Sequence, residues 1–302
     1  MYILISSILV VIMGVFVKLG NTCLFASTEQ WIKHKNPSKY LEIINSWFWV
    51  ILLITSLQLT VSFNVLIQSF ALSWMTFLGG LLLGFGAYIN KACAVGTISR
   101  IGDGNLNYLF TPIGMLISIF VFYHLPVSRP QQITEISVVT LYPVSFFIVS
   151  LFSIVFLLIY FSSKNKHLHI SKKLLGAPTT VVSICFVLLL LINTPWSYTQ
   201  VICDFAINNF MNETENLFLF FIFFLAVIIA GFFMGSFKLT RFKLKAVITC
   251  FFGGVLIGWG SQLIIGSHDS ITLYGFPLLL TSSVIAMLIN LITIAAGIKY
   301  FG

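Results

Sequence analysis

Residues able to do chemistry are few in this chain, and they collect at a small number of places. Five cysteines stand at positions 23, 93, 185, 203 and 250. They form no Cys-x-x-Cys pair and no Cys/His spacing that would complete a zinc site, and an odd, scattered count argues against a disulfide framework. Two polar, glycine-containing stretches interrupt apolar sequence. The first is Lys91-Ala-Cys93-Ala-Val-Gly96-Thr-Ile-Ser-Arg100-Ile-Gly102-Asp103-Gly104-Asn105; the second is Gly266-Ser267-His268-Asp269-Ser270 on to Tyr274-Gly275-Phe276-Pro277. In these stretches Cys93 offers a neutral polarizable thiol, Ser267 a hydroxyl donor, Arg100 a fixed cation, and His268 beside Asp269 a pair able to move a proton. These groups can donate hydrogen bonds, pair with a charge or move a proton. Neither a catalytic constellation nor a metal or cofactor site is expected.

Each residue also has a plainer reading. A lone buried cysteine is usually an inert small residue. Arg100 can be a snorkelling cation at a membrane edge. Asp103 and Asn105 flank Gly104 as turn residues and can cap the next helix, and His268-Asp269 can be a loop pair with no transport role.

What positions these residues is lipid-embedded helix. Of 302 residues 59% are hydrophobic and only 8% charged, Phe occurs 31 times, and the mean hydropathy is +1.04. Soluble domains carry about 25% charged residues, so a water-soluble protein is excluded. The net charge of +8 does not point to nucleic acid, because the cations fall between apolar spans instead of forming one basic face. Nine spans are expected, at 2–26, 42–62, 75–92, 106–124, 137–161, 178–197, 216–236, 245–266 and 277–300, each close to the ~20 residues a spanning helix needs. No segment alternates as a barrel strand does. The first span lacks the basic start and cleavage site of a signal peptide and reads as retained.

Lysine and arginine fix the orientation. They gather in the loops 27–41, 162–177 and 237–245 and are nearly absent from 125–136 and 198–215. The expectation is therefore a multi-pass membrane protein with the N-terminus outside and the C-terminus in the cytoplasm. The run from Lys164 to Lys173 reads as an orientation signal, and secondarily as a dock for anionic lipid or a soluble partner.

Shifting the sequence on itself aligns Gly79-Gly80-Leu-Leu-Leu-Gly84-Phe-Gly86 with Gly253-Gly254-Val-Leu-Ile-Gly258-Trp-Gly260. The two copies cross the membrane in opposite senses, which predicts an inverted repeat: 1–125, a linker helix and basic loop over 126–177, and 178–302. The pairs Gly80/Gly84 and Gly254/Gly258 make small-xxx-small ridges for close helix approach. Helices restarting after the two polar breaks can aim positive dipole ends at a midplane anion site; alternatively both breaks are ordinary short loops at opposite faces.

The run Gly79–Leu106, with Gly-Gly-x-Leu-x-Gly-x-Gly, Ala92-Cys93-Ala-Val-Gly96-Thr and Arg100-Ile-Gly102-Asp-Gly104-Asn105, resembles the YeeE/YedE family of bacterial inner-membrane sulfur transporters. Gly253–Gly260 with Gly266-Ser267-His268-Asp269 and Gly275-Phe276-Pro277 is similar to that family's second signature, and Gly20-Asn21-Thr22-Cys23-Leu24-Phe25 to its N-terminal Phe-Cys-Phe segment. The resemblance implies a place in a bacterial inner membrane and two pseudo-symmetric helical halves around a narrow, cysteine-lined path for thiosulfate. By position Cys93 matches the first path cysteine, with Cys23 a further candidate. Ser267 stands where the second signature has cysteine, His268 replaces its usual Asn, and Asp269 is kept. Cys250 has no signature around it. A serine hydroxyl suits oxygen better than sulfur, which widens the expected cargo to sulfite, sulfate-like or selenium-containing anions. A cytoplasmic sulfur-carrier or rhodanese-type protein is the implied partner. The alternative is a membrane-embedded sulfur relay with a persulfide on Cys93 that does not itself transport.

Overall fold

The structure is a computed structural model that describes residues 2–20, 23–61, 68–126, 131–134, 137–164, 178–192, 196–207, 214–264 and 268–301. Its helices are α1 (Tyr2–Gly20), α2 (Leu24–His34), α3 (Ser38–Val61), α4 (Trp74–Asn90), α5 (Ala94–Gly102), α6 (Phe110–His124), α7 (Val138–Leu141), α8 (Pro143–Lys164), α9 (Pro178–Ile192), α10 (Tyr198–Ile207), α11 (Thr214–Phe233), α12 (Leu244–Ile264), α13 (His268–Ser270) and α14 (Thr281–Phe301). A π-helical turn, Ile271–Gly275, follows α13. Strands β1 (Gln68–Phe70) and β2 (Gln132–Thr134) pair antiparallel as a small ribbon. By length and composition, seven helical stretches among the described residues can cross a membrane, and Pro143–Leu157 and Pro178–Ile192 are shorter apolar helices. The chain is an all-α, multi-pass membrane protein.

The main helix contacts follow an exchange rule, with α5 on α11 an exception. Pair α1 with α9, α2 with α10, α3 with α11, α4 with α12, α5 with α13 and α6 with α14. Then α4 on α14 has its counterpart in α12 on α6, α1 on α11 in α9 on α3, and α2 on α14 in α10 on α6. The contacts α4–α12, α1–α9 and α5–α13 map onto themselves. Helix α8 lies outside this scheme, packed on α3 with most of its other side chains exposed.

The glycines explain the central contact. A Cβ at Gly79 would lie 3.0 Å from the carbonyl oxygen of Gly260, and one at Gly260 2.9 Å from that of Gly79; Gly86 and Gly253 face each other in the same way at 2.9 and 3.0 Å. Helices α4 and α12 therefore cross antiparallel, backbone against backbone, as only side-chain-free positions allow. The ridges Gly80/Gly84 and Gly254/Gly258 point elsewhere. Gly80 and Gly84 meet Ala286 and Asn290 of α14, and Gly254 and Gly258 meet Thr111 and Met115 of α6.

Four expectations from sequence need correction. Residues 27–41 and 198–215 are not simple loops, because α2 and α10 occupy much of them; both are short helices that restart after a break. The stretch 91–105 is mostly helical: Lys91 takes a left-handed φ of 54° that ends α4, and α5 begins two residues after Ala92. Pro277 does not open the last helix, since Leu279 at φ 54° turns the chain once more before Thr281. The span expected at 2–26 is likewise split at Cys23. At Lys91 and at Cys23 the backbone leaves helical geometry inside stretches that composition alone reads as a loop or as one span. Gly266, Ser267 and the Lys166–Lys173 run lie outside the described residues.

Candidate functional site

Cys23 and Cys93 occupy matching positions, each with extended backbone immediately before a half-helix. The Cys93 sulfur accepts the Gly96 N–H at 3.3 Å, capping α5, and the Cys93 N–H donates to the Cys23 sulfur at 3.1 Å. Gly96 packs directly on Cys23: a Cβ there would come within 2.8 Å of the Cys23 Cβ. A buried amide holds the turn. Asn90 donates to the Ala92 carbonyl at 3.0 Å and to the Thr97 hydroxyl at 2.8 Å, while its Oδ1 accepts from Thr111 at 2.9 Å. Thr97 in turn donates to the Cys93 carbonyl at 3.0 Å. Such a satisfied buried network fixes a single geometry.

Elements after α8 supply the facing wall. Ser197 caps α10, its hydroxyl accepting the Gln200 N–H at 3.2 Å. The Thr199 hydroxyl donates to a carboxylate oxygen of Asp269, and Nδ2 of Asn290 lies 2.9 Å from Nε2 of His268. The π-turn is tied to α3 through the Trp47 indole, which donates to the Thr272 carbonyl at 2.8 Å.

A cavity of about 60 Å3 lies between these walls; its lining includes the polar residues Cys93, Trp196, Ser197, Tyr198, His268 and Asp269, the hydroxyl residues Ser46, Thr179 and Thr272, and apolar side chains such as Met13, Val17 and Phe223. It holds several water-sized positions, each needing about 10–15 Å3. Residues at the starts of α2, α5, α10 and α13 all reach it: Leu24, Cys93, Tyr198 and His268. No lysine or arginine among the described residues lines it. Two donors in its wall, the indole N–H of Trp196 and the hydroxyl of Tyr198, are buried without a hydrogen-bond partner. Phe223 packs edge-on against Trp196 and stacks on Tyr198, with ring centroids 5.6 and 6.2 Å away.

The residues singled out from sequence thus fall into groups. Cys93, His268 and Asp269 line the cavity, and Cys23 and Gly96 stand directly behind Cys93. Arg100 is exposed and Asn105 sits at the far end of α5, where its Oδ1 accepts from Asn107 and Thr240 at 2.9 and 3.2 Å. Gly104, at φ +80°, makes this turn against the Lys238 carbonyl. Lys18, buried in α1, pairs with Asp103 there. Cys185, Cys203 and Cys250 are free, buried and outside the cavity wall. Sequence reading passed over Trp196, Tyr198, Thr199, Asn290 and Asn90. One signal was present: the dipeptide Asn-Thr precedes both α2, at 21–22, and α10, at 193–194.

The family model described as Sulphur transport matches residues 19–296. The chain belongs to this family, that of YeeE/YedE. No curated protein matches it. The match begins just before the α1–α2 break and ends inside α14, so it takes in all four half-helix starts around the cavity. As a member of the Sulphur transport family the protein is a membrane transporter with a role in moving sulfur compounds.

Proposed function

We propose that this Sulphur transport family member is an inner-membrane permease that imports a small sulfur-containing oxyanion, thiosulfate first, through the cavity between its two halves. The observation that carries the reading is the pair of unpartnered buried donors, Trp196 N–H and Tyr198 O–H. An indole N–H can only donate, and leaving it unbonded in an apolar wall costs about 1–3 kcal/mol. An oxyanion in the cavity supplies the missing acceptors. With no cation in the described wall, it is held by neutral donors, strongly enough to be selected and weakly enough to be released. Cys93 adds a polarizable thiol suited to the soft terminal sulfur.

In this reading residues 1–125 and 178–302 are the two inverted repeats, and 126–177 the linker. The N-terminus is outside and the C-terminus cytoplasmic. Supporting this, the exposed Lys238–Lys243 loop packs beside Asp103–Asn107, which puts Arg100 and a basic loop at one face, as the positive-inside rule requires. Arg100 then stands at the inner mouth. Inward movement opposes the membrane potential by about 2.3 kcal/mol per charge per 100 mV, so the cargo must be consumed inside, by a sulfur-carrier or rhodanese-type protein, or be driven. Ser267, in place of the signature cysteine, broadens selectivity toward oxygen-rich anions.

The test is uptake of labelled thiosulfate into vesicles containing only this protein. Accumulation without a soluble partner supports a permease. Its absence, with label appearing on Cys93, supports the relay alternative.

A further inference from the structure

Asp269 is the one acidic side chain lining the cavity among the described residues, and it is 3% exposed. An oxyanion confined to the same ~60 Å3 space sits within a few ångströms of this carboxyl, where like charges repel strongly outside bulk water. Nothing described offsets that repulsion. The nearest buried ammonium, Lys18, is engaged by Asp103 and the Ser99 carbonyl. Thr199 donates one hydrogen bond to Asp269 and brings no charge. The remaining titratable groups around it are Tyr198 and Cys203 of α10, Cys93 at the start of α5 with Cys23 behind it, and His268 in the same turn. None is a standing cation. His268 faces the amide nitrogen of Asn290, and an amide N–H donates only to an unprotonated ring nitrogen. From α14 the group facing this turn is that neutral amide.

From this we infer that Asp269 is a proton-coupling site: the cavity admits the anion when Asp269 carries a proton, and proton and anion cross together, making the protein a proton–anion symporter. The inference rests on the reading of the cavity as an anion site. The carboxylate takes one proton from the outer water, the anion enters against the neutral acid, and both leave inward as Asp269 ionises again. No other bond is made or broken. With thiosulfate, a dianion, one proton reduces the charge moved inward from two to one.

The experiment uses the purified full chain in liposomes, labelled thiosulfate, a clamped membrane potential and a pH dye in the lumen. An external acid step of one pH unit raises the proton concentration offered to a one-proton symporter about tenfold. Initial uptake by the wild type is therefore expected to rise up to about tenfold, and thiosulfate entry to acidify the lumen. In Asp269→Asn, which keeps the acid's shape and cannot ionise, uptake is expected to ignore the gradient and carry no protons. Uptake by the wild type without gradient response and without proton entry overturns the coupling and leaves the anion site standing. Proton movement that persists with thiosulfate in Asp269→Asn also overturns it. No uptake by the wild type under any gradient overturns both. If the variant does not fold, the proton flux of the wild type decides alone.

Discussion

The backbone N–H of Cys93 donates to the sulfur of Cys23 at 3.1 Å, so the residue that opens one half-helix is anchored by the residue that opens another. The contact joins positions far apart in the chain and leaves the Cys93 thiol on the cavity wall. Cys23→Ala removes the acceptor and leaves a buried N–H unbonded, a cost of about 1–3 kcal/mol. Lower thermal stability in detergent and at least severalfold slower thiosulfate uptake are expected. Cys23→Ser, which keeps an acceptor, should recover part of both.

Tyr198→Phe gives a prediction with two signs. Removing a hydroxyl that has no partner should leave stability unchanged or raise it by up to about 1 kcal/mol. Losing a hydrogen bond to an anion should raise the KM for uptake about tenfold, since such bonds are worth about 1.5–3 kcal/mol. Melting curves and uptake kinetics on one preparation check both. Reduced stability with an unchanged KM would make Tyr198 a packing residue only.

The Lys18–Asp103 pair is unequal, the lysine side chain 5% exposed and the aspartate 34%. Asp103→Asn strands a buried ammonium, whereas Lys18→Met leaves a carboxylate that still reaches solvent. Breaking a fully buried pair costs about 3–5 kcal/mol. Asp103→Asn should approach the lower end of that range and Lys18→Met should cost clearly less, as read from folded yield and melting temperature.

At the α4–α12 crossing, Gly86→Val places side-chain atoms against the Gly253 carbonyl, 2.9 Å from where a Cβ would stand. Overpacking of this kind costs about 1–3 kcal/mol. The melting temperature should fall, with Gly253→Val producing a similar loss because it meets the same backbone from the opposite side.

Ser267→Cys tests the proposed link between a hydroxyl at this position and a broader choice of anion. In competition assays it should shift uptake toward thiosulfate over sulfite and sulfate. Unchanged competition would remove position 267 from the selectivity determinants.

The sequence made the scaffold legible because a glycine at a helix crossing has no substitute. Of the four coincident glycines in 79–86 and 253–260, Gly79 and Gly86 meet Gly260 and Gly253 where α4 and α12 cross, and the other two in each copy receive α14 and α6. Half-helices α2 and α10 were not legible. At 11 and 10 residues they are too short for a span, and they lie where charge counting reads a loop. Cys93 and Asp269 could be found from polarity inside apolar surroundings. Trp196 and Tyr198 could not, because aromatic residues near a span end ordinarily mark the lipid–water boundary; only the three-dimensional convergence of α10 with α5 and α13 turns them inward. Arg100 shows the opposite case, a conspicuous charge that the fold carries to the far end of α5, away from the cavity.

The exchange pattern of helix contacts has a mechanical meaning. Helix α4 packs on α12 and α14, and α1 on α9 and α11, so helices before α8 find their main partners among those after it. Neither set has a core of its own, and either set expressed alone would leave its glycine faces uncovered. The two halves cannot rock against each other as rigid bodies without tearing backbone from backbone at Gly79, Gly86, Gly253 and Gly260. Whatever opens the cavity to either side must therefore be small and local: displacement of the short helices that begin at its wall, inside a frame that stays locked.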